Sequence, residues 1–203
     1  MRYELATLQA HVGASAKVAQ GVDSFVHAPE AKGKLAGCWI TDIGTLHQVL
    51  VLRAFTGDAE MMAERARIHA TRNPFDAGEA IAGMTFDAYA AFPWVEPLKP
   101  GKHGAVYEFR TYTIKHGGLD VISRNWQEAV PARVKLSPMA AFLYTVSGSP
   151  RITHIWPYAD MAERTRVRGA ATAAGIWPPK ETGPNLIDMT SLIALPTAFS
   201  PLG

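Results

Sequence analysis

The segment from Val106 to Ile114 carries a glutamate, an arginine and two tyrosines within nine residues. It alternates in polarity and is rich in aromatic and β-branched residues, which predicts a strand. Because side chains alternate along a strand, one face carries Glu108, Arg110 and Tyr112. A buried charged pair needs mutual pairing or a polar ligand, so these three residues are candidates for ligand binding. The alternative is a Glu–Arg pair that satisfies itself or lies exposed.

A second predicted strand, Arg151 to Tyr158, places an imidazole, an indole and a phenol on one face, those of His154, Trp156 and Tyr158. Together they could bind an aromatic or haem-like ligand, with His154 as acid, base or axial ligand. The alternative is a core aromatic cluster with one hydrogen-bonded histidine. No second histidine follows at the spacing of a two-histidine site, so no metal site is predicted.

Asp160, Arg164 and Arg168 lie on one stripe of a predicted helix. They favour either an anion or phosphate site or a solvated face with an i,i+4 Asp–Arg pair. The chain has no Gly-x-Ser-x-Gly elbow, Walker loop or Gly-x-Gly-x-x-Gly motif. No catalytic residue is therefore assigned from a motif. Cys38 lies in an apolar segment and is predicted to be a buried, unreactive thiol.

The elements that must position these residues occur twice. Short identical segments recur in the same order, at offsets of 104, 99 and 105 residues: Tyr3-Glu4 as Tyr107-Glu108, Met62-Ala63-Glu64-Arg65 as Met161-Ala162-Glu163-Arg164, and Met84-Thr85 as Met189-Thr190. The offsets change where loops are expected, as insertions and deletions require. The chain is therefore predicted to contain two copies of one unit.

Each copy predicts the element order β-α-β-β-α-β, the ferredoxin-like unit. In the first copy we expect strands near 2–9, 36–43, 46–55 and 81–90, and helices near 14–32 and 58–72. In the second we expect strands near 106–114, 139–146, 151–158 and 186–195, and helices near 119–135 and 159–174. Three prolines and two glycines between Pro93 and Gly104 predict a linker. The predicted division is a first repeat at 1–92, a linker at 93–104 and a second repeat at 105–203.

A ferredoxin-like sheet has helices on one face, so its other face needs cover. The predicted fold is α+β: two ferredoxin-like repeats packed sheet to sheet as an α+β barrel. We expect a ligand in the space between the sheets. The face with Glu108, Arg110 and Tyr112 is expected to point there, because the opposite face is more apolar and suits the helices. Unpaired sheet edges also predict a homo-oligomer.

Composition excludes several classes of protein. With 20 Lys+Arg against 18 Asp+Glu, the net charge of +2 is too even for a nucleic-acid binder or a polybasic membrane anchor. No uncharged apolar run approaches the ~18 residues that span a bilayer, so no membrane insertion is predicted. A single cysteine excludes an internal disulfide and favours a reducing compartment. Because Arg2 and Glu4 already lie in a predicted strand, no signal peptide is expected, and the predicted location is cytoplasmic.

Two stretches of the second copy resemble the NIPSNAP family: Tyr107-Glu108-Phe109-Arg110-Thr111-Tyr112-Thr113-Ile114 and His154-Ile155-Trp156-Pro157-Tyr158-Ala159-Asp160. The resemblance covers roughly residues 105–195 and extends more weakly to the first copy. There, the expected counterparts of Arg110, Tyr112, His154 and Trp156 are Ala6, Leu8, Leu50 and Leu52. The resemblance implies a fold of the dimeric α/β barrel superfamily, which also contains haem-degrading and quinone-forming monooxygenases.

Two functions are compatible with these features. The first is binding of a small, partly aromatic or apolar ligand in the barrel, without a cofactor, mainly by the second copy through Glu108, Arg110, Tyr112, His154, Trp156 and Tyr158. The alternative, implied by the superfamily, is a cofactor-free or haem-linked monooxygenase. Whether the protein is an enzyme stays open. The expected partners are a small molecule and further copies of the chain.

Overall fold

The computed structural model describes residues 1–96 and 99–203. The first repeat contains β1 (Arg2–Ala10), α1 (Ser15–Val26), β2 (Lys34–Ile43), β3 (Gln48–Phe55), α2 (Asp58–Ala70) and β4 (Ile81–Ala91). The second contains β5 (Val106–Ile114), α3 (Gly118–Arg133), β6 (Ala141–Thr145), β7 (Arg151–Tyr158), α4 (Met161–Ala173) and β8 (Leu186–Pro196). Both repeats therefore have the predicted order β-α-β-β-α-β.

Most element bounds agree with the predictions to within two residues, and α1 is the main exception. It ends at Val26, whereas the prediction extended it to residue 32. Pro29 explains the difference, because a proline lacks a backbone donor and disfavours helical geometry in the residue before it. In the predicted linker, Pro97 and Leu98 lie outside the described residues.

The eight strands form one closed antiparallel barrel in the order β1-β3-β2-β8-β5-β7-β6-β4. Each repeat contributes four neighbouring strands, and two seams join the repeats. At one seam β2 pairs with β8, and at the other β4 pairs with β6. The two sheets therefore meet along their edges as well as across their inner faces.

Aromatic side chains fill the centre of the barrel. The indole of Trp39 packs against the rings of Tyr107 and Phe109, with ring centroids 5.3 and 5.1 Å apart. Leu50 and Leu52 complete this shared core from the first repeat. Helices α1 and α2 cover the outer face of the first repeat's strands, and α3 and α4 cover that of the second. The central strands are thus buried on two faces, one inside the barrel and one beneath helices, whereas much of β8 is exposed.

The strand register corrects two of the expected counterparts. Opposite β5, His154 pairs with Arg110 and Trp156 with Glu108. Opposite β1, Val51 pairs with Ala6 and Arg53 with Glu4, so Val51 and Arg53, not Leu50 and Leu52, occupy the positions of His154 and Trp156. A shift of one residue moves a side chain to the other face of a sheet, and the two leucines face the barrel interior.

Helix capping corrects the predicted match between the second helices as well. The side chain of Glu60 accepts a hydrogen bond from the Thr56 backbone N–H at 2.6 Å. The side chain of Glu163 does the same for Ala159 at 2.5 Å. Glu60 therefore corresponds to Glu163, an offset of 103 residues instead of 99. One helical turn later, the counterpart of Glu64 is Val167, and both are buried.

The seams change the argument for oligomerisation. The prediction rested mainly on the resemblance to the dimeric α/β barrel superfamily, with unpaired sheet edges as its physical reason. The barrel instead pairs β2 with β8 and β4 with β6 inside one chain. A homo-oligomer stays a prediction, which light scattering tests against the 22.0 kDa chain mass. No helix within residues 1–96 and 99–203 is long and apolar enough to cross a bilayer.

Candidate functional site

The six candidate residues lie on the outer, helix-covered face of the second repeat's sheet. The prediction that Glu108, Arg110 and Tyr112 face the barrel interior is wrong. The interior takes Tyr107 and Phe109, because their rings pack against Trp39 and the leucines of the first repeat. The polar face of β5 instead meets the arginines of α4, which supply the partners that buried charges require.

Glu108 is the centre of an ion cluster. Its carboxylate is fully buried, and Oε1 accepts hydrogen bonds from Arg110 Nη1 at 2.9 Å, Arg164 Nη2 at 2.6 Å and Ser191 Oγ at 2.9 Å. Arg168 Nη1 lies 3.5 Å from Oε2. Burial alone would raise the pKa of Glu108, but the hydrogen bond from Arg164 and the charges of Arg168 and Arg110 outweigh it and lower the pKa to about 2. The carboxylate is therefore ionised at neutral pH.

Arg110 joins this cluster to the neighbouring phenol. Its Nε donates to the Tyr112 hydroxyl at 2.6 Å, and its guanidinium carbon lies 5.4 Å from the centre of the Tyr112 ring. One guanidinium thus binds the Glu108 carboxylate and the Tyr112 phenol together. The three β5 candidates form one connected group, in agreement with the expectation that they share a face.

His154 lies beneath this group and is fully buried. The Trp156 indole N–H donates to its Nδ1, so the ring proton of the neutral form lies on Nε2. Burial, together with the positive charge of Arg110, holds the pKa of His154 well below its usual range. The imidazole is therefore neutral. Its ring packs edge-on against Trp126 and Tyr112, with centroids 4.8 and 4.9 Å away.

Trp156 and Tyr158 are bound together by an arginine from α3. The guanidinium carbon of Arg133 lies 4.2 Å from the centre of the Trp156 ring, and Nη2 donates to the Tyr158 hydroxyl at 3.1 Å. Burial lowers the pKa of Arg133. These side chains form a packed layer between the sheet and the helices, which is the alternative that the sequence left open for them.

A pocket of about 440 Å³ lies beside the ion cluster, bounded by β5, β8, α4 and the chain that follows α4. Its lining includes two arginines, three aromatic residues and a methionine: Arg110, Arg168, Tyr112, Trp126, Trp177 and Met189. We call it the second-repeat pocket. Of the six predicted site residues, Arg110 and Tyr112 line it. Glu108 lies behind the guanidinium groups, and His154, Trp156 and Tyr158 lie in the packed layer.

The space between the two sheets is largely filled. A smaller cavity of about 230 Å³ lies at one end of the barrel, with apolar walls that include Leu52, Leu143 and Leu202. None of the six candidate residues lines it. The expected ligand space and the expected ligand-binding residues therefore occupy different parts of the molecule.

Sequence reasoning missed several residues of the pocket. Arg164 and Arg168 gave a signal through their i,i+4 spacing, but it did not show that they turn toward β5. Trp177 gave no positional signal, because it is the path of the chain after α4 that brings its ring to 4.6 Å from that of Trp126, measured between ring centres. Cys38 behaves as predicted: it is buried, and burial raises the pKa of its thiol to about 12.

Comparison with known proteins identifies the repeats. The sequence model of the NIPSNAP family matches residues 3–95 and again residues 107–201. The chain belongs to the NIPSNAP family. It is 27% identical over 190 residues to "Protein NipSnap homolog" from Dictyostelium discoideum, an alignment that covers 88% of this chain and 83% of that protein. It is 31% identical over 85 residues to human "Protein NipSnap homolog 3B", an alignment that covers 41% of this chain and 34% of that protein.

The fold of both NIPSNAP repeats together recurs in solved structures. An anthrone oxidase-like protein aligns with a TM-score of 0.67 at 9% identity, over 98% of this chain and 93% of its own. A "putative monooxygenase" from Lactobacillus acidophilus aligns with a TM-score of 0.68 at 10% identity, over 96% and 93%. At such identities the likeness establishes the fold alone. The whole eight-stranded arrangement is therefore shared, and the chemistry must be argued from the site.

Proposed function

We propose that this NIPSNAP protein binds a small, partly aromatic molecule in the second-repeat pocket. The observation that carries the proposal is the pocket itself, about 440 Å³ in volume and walled by the rings of Tyr112, Trp126 and Trp177. Ligand sites are concave, mostly apolar and lined by aromatic side chains with a few polar groups. The pocket has this composition, with Arg110 and Arg168 as its main polar groups.

The aromatic walls are held in place before any ligand arrives. Trp126 stacks on Phe142 with ring centroids 4.3 Å apart, and its indole N–H donates to Thr182 Oγ1 at 3.1 Å. Trp177 packs edge-on against Trp126. Fixed walls reduce the entropy lost when a ligand is ordered, which favours binding.

The mouth of the pocket favours an apolar body on the ligand. Ile187 and Met189 project from β8 at the rim, with 65% and 56% of their surface exposed. Large apolar side chains on an open surface often mark a binding site. Contact with a ligand would remove part of this surface from water, at about 25 cal/mol per Å².

The alternative function is oxygen-dependent oxidation of the bound molecule, which the names of the two fold neighbours suggest for those proteins. Such a reaction needs a haem ligand or a base that touches the substrate. His154 fits neither role, because it is fully buried, does not line the pocket and accepts a hydrogen bond from Trp156 on Nδ1. The titratable residues among the described lining are Arg110, Tyr112, Arg168 and Asp188. Burial raises the pKa of the Tyr112 phenol, and the Asp188 carboxylate is exposed to water, so neither is held as a buried base. Binding without chemistry is therefore the function we favour.

Calorimetric titration of the full chain with 2-naphthamide, a neutral bicyclic aromatic probe, tests the proposal. We expect a dissociation constant below about 1 mM. Trp177→Ala should weaken binding by about threefold to tenfold, the range for one aromatic contact. Trp94→Ala is the matched control, because Trp94 is also half-buried but lies outside the pocket lining. Absence of binding, or equal losses in both variants, would contradict the proposal.

A further inference from the structure

We propose that the ligand of the second-repeat pocket carries a carboxylate, bound by Arg110 and Arg168. This inference rests on the proposed function and specifies the chemical class of the ligand. The arginines around Glu108 leave a surplus of positive charge beside the pocket. Within residues 1–96 and 99–203, three arginines contact Glu108: Arg110, Arg164 and Arg168. Asp188 lies on the exposed edge of the pocket, where water weakens its charge.

The first repeat contains a cluster of arginine and glutamate side chains on the same framework. Glu4 and Glu64 are both fully buried, and Arg53 bridges them at 2.5 and 3.0 Å. Arg65 contacts Glu4, and Arg67 contacts Glu64 at 2.7 Å. Three arginines there contact two buried carboxylates. The carboxylate of Glu30 also lies 3.7 Å from the guanidinium of Arg67. Each of the three arginines therefore contacts at least one buried carboxylate, and the cluster has two such carboxylates.

The second cluster has one buried carboxylate fewer than the first for the same number of arginines. In the helix register set by capping, Val167 stands where the first repeat has Glu64, and Arg164 where it has Met61. In the strand register, Arg110 stands where the first repeat has Ala6. In the same registers, Trp156 and Ala170 stand where the first repeat has Arg53 and Arg67, so gained and lost arginines cancel. The missing carboxylate therefore shifts the balance toward positive charge. A ligand carboxylate would restore the ratio of the first repeat.

Donor atoms remain available on the pocket side. Within the described part of the chain, no protein acceptor forms a hydrogen bond with Nη2 of Arg110 or with Nε and Nη2 of Arg168. The exposed fractions of the two side chains are 16% and 34%, so their charges are partly withdrawn from water. Partial burial strengthens their attraction for an anion. The planar guanidinium fork also matches the two oxygens of a carboxylate.

The remaining walls favour a carboxylate on an apolar body over free phosphate. The arginines lie on one side of the pocket, whereas Trp126, Trp177 and Met189 line other parts of it. Free phosphate would leave these apolar walls in contact with water. An amphipathic acid can place its carboxylate at the arginines and its body against the rings. The ligand class is therefore an aromatic or apolar carboxylic acid.

Calorimetry with two probes of almost equal shape, 2-naphthoate and 2-naphthamide, separates this inference from the proposed function. We expect the full chain to bind the acid about tenfold or more tightly than the amide, because charged hydrogen bonds are the stronger ones. Arg168→Gln should remove most of that preference, measured as the ratio of the dissociation constants of the amide and the acid on the same variant. Arg166→Gln, on the same helix but 71% exposed, removes the same charge outside the pocket and should keep the preference.

Each other outcome overturns a definite statement. Equal affinity for acid and amide would refute the carboxylate while leaving the proposed function intact. Binding of neither probe would refute both. Inorganic phosphate that binds as tightly as 2-naphthoate and competes with it would assign the arginines to phosphate instead. Thermal unfolding checks that Arg168→Gln is folded, and Arg110→Gln provides a second variant with the same expected loss.

Discussion

The outer faces of the two repeats share one element order but are completed differently. In the first repeat, Phe75 from the chain after α2 is fully buried and packs against Phe25 and Phe86, with ring centroids 5.0 and 6.3 Å away. In the second repeat, the chain after α4 places Trp177 beside Trp126, and the second-repeat pocket lies between that chain and the sheet. One face is filled by its own side chains, whereas the other leaves space.

The charges on the two faces differ in the same direction. In the first repeat three arginines share the two buried carboxylates of Glu4 and Glu64, whereas Glu108 alone is shared by three arginines among the described residues of the second. Polar groups that a fold does not satisfy by itself are typical of functional sites. The two repeats thus share one framework, and the binding site that we propose lies in the second.

The largest expected effect follows from separating the repeats. Residues 1–98 and residues 104–203, expressed alone, should be insoluble or should self-associate, because each half loses both seams and exposes its share of the central core. Light scattering and near-ultraviolet circular dichroism measure this. A monomeric half with a native-like spectrum would show that the repeats fold independently.

The next largest effect concerns the carboxylate that distinguishes the clusters. Glu64→Val introduces the residue found at the corresponding position in the second repeat. It should lower the free energy of unfolding by about 3–5 kcal/mol, because Arg53 and Arg67 lose a buried partner. Urea unfolding of the full chain measures the change.

Glu163→Val is the control for this variant, because Glu163 matches Glu64 in sequence alone. It is a partly exposed capping residue and should cost about 1 kcal/mol or less. Equal losses in the two variants would show that the buried ion pairs of Glu64 stabilise the protein no more than an exposed cap does.

The sequence was sufficient to predict the repeated β-α-β-β-α-β order and the barrel, because recurring segments and strand alternation are local signals. It failed on the direction of Glu108, Arg110 and Tyr112. Alternation identifies which residues share a face, but both faces of β5 are buried, so polarity does not show which one meets the helices. The path of Trp177 depends on long-range packing, which periodicity does not contain.

A third expectation compares the side chains that fill or line the two faces. Phe75→Ala should destabilise the protein by about 3 kcal/mol, the lower end for a buried phenylalanine, because Phe25 and Phe86 can move into part of the space. Trp177→Ala should cost about half as much, since Trp177 is half-buried and already borders a pocket. Thermal or urea unfolding gives both values. A larger loss for Trp177→Ala would mean that the second face depends on its aromatic wall for folding.

The smallest effect appears as a pH dependence. Because the pKa of His154 is held well below its usual value of about 6.5, the unfolded chain binds a proton below that pH that the folded chain does not. Stability should therefore rise with pH up to about 6.5 and then level off, with a contribution from this histidine of at most about 1.4 kcal/mol per pH unit.

His154→Val tests the origin of that slope, since Val51 is the fully buried counterpart in the first repeat. The variant should be less stable at neutral pH, because the Trp156 indole N–H loses its acceptor. Its free energy of unfolding should nevertheless fall less steeply between pH 6.5 and pH 5 than that of the natural chain. His27→Gln removes an exposed imidazole and keeps His154, so the slope that His154 causes should persist. An unchanged slope in His154→Val would assign the pH dependence to other groups. The buried imidazole would then not make the stability of the second repeat's outer face depend on pH.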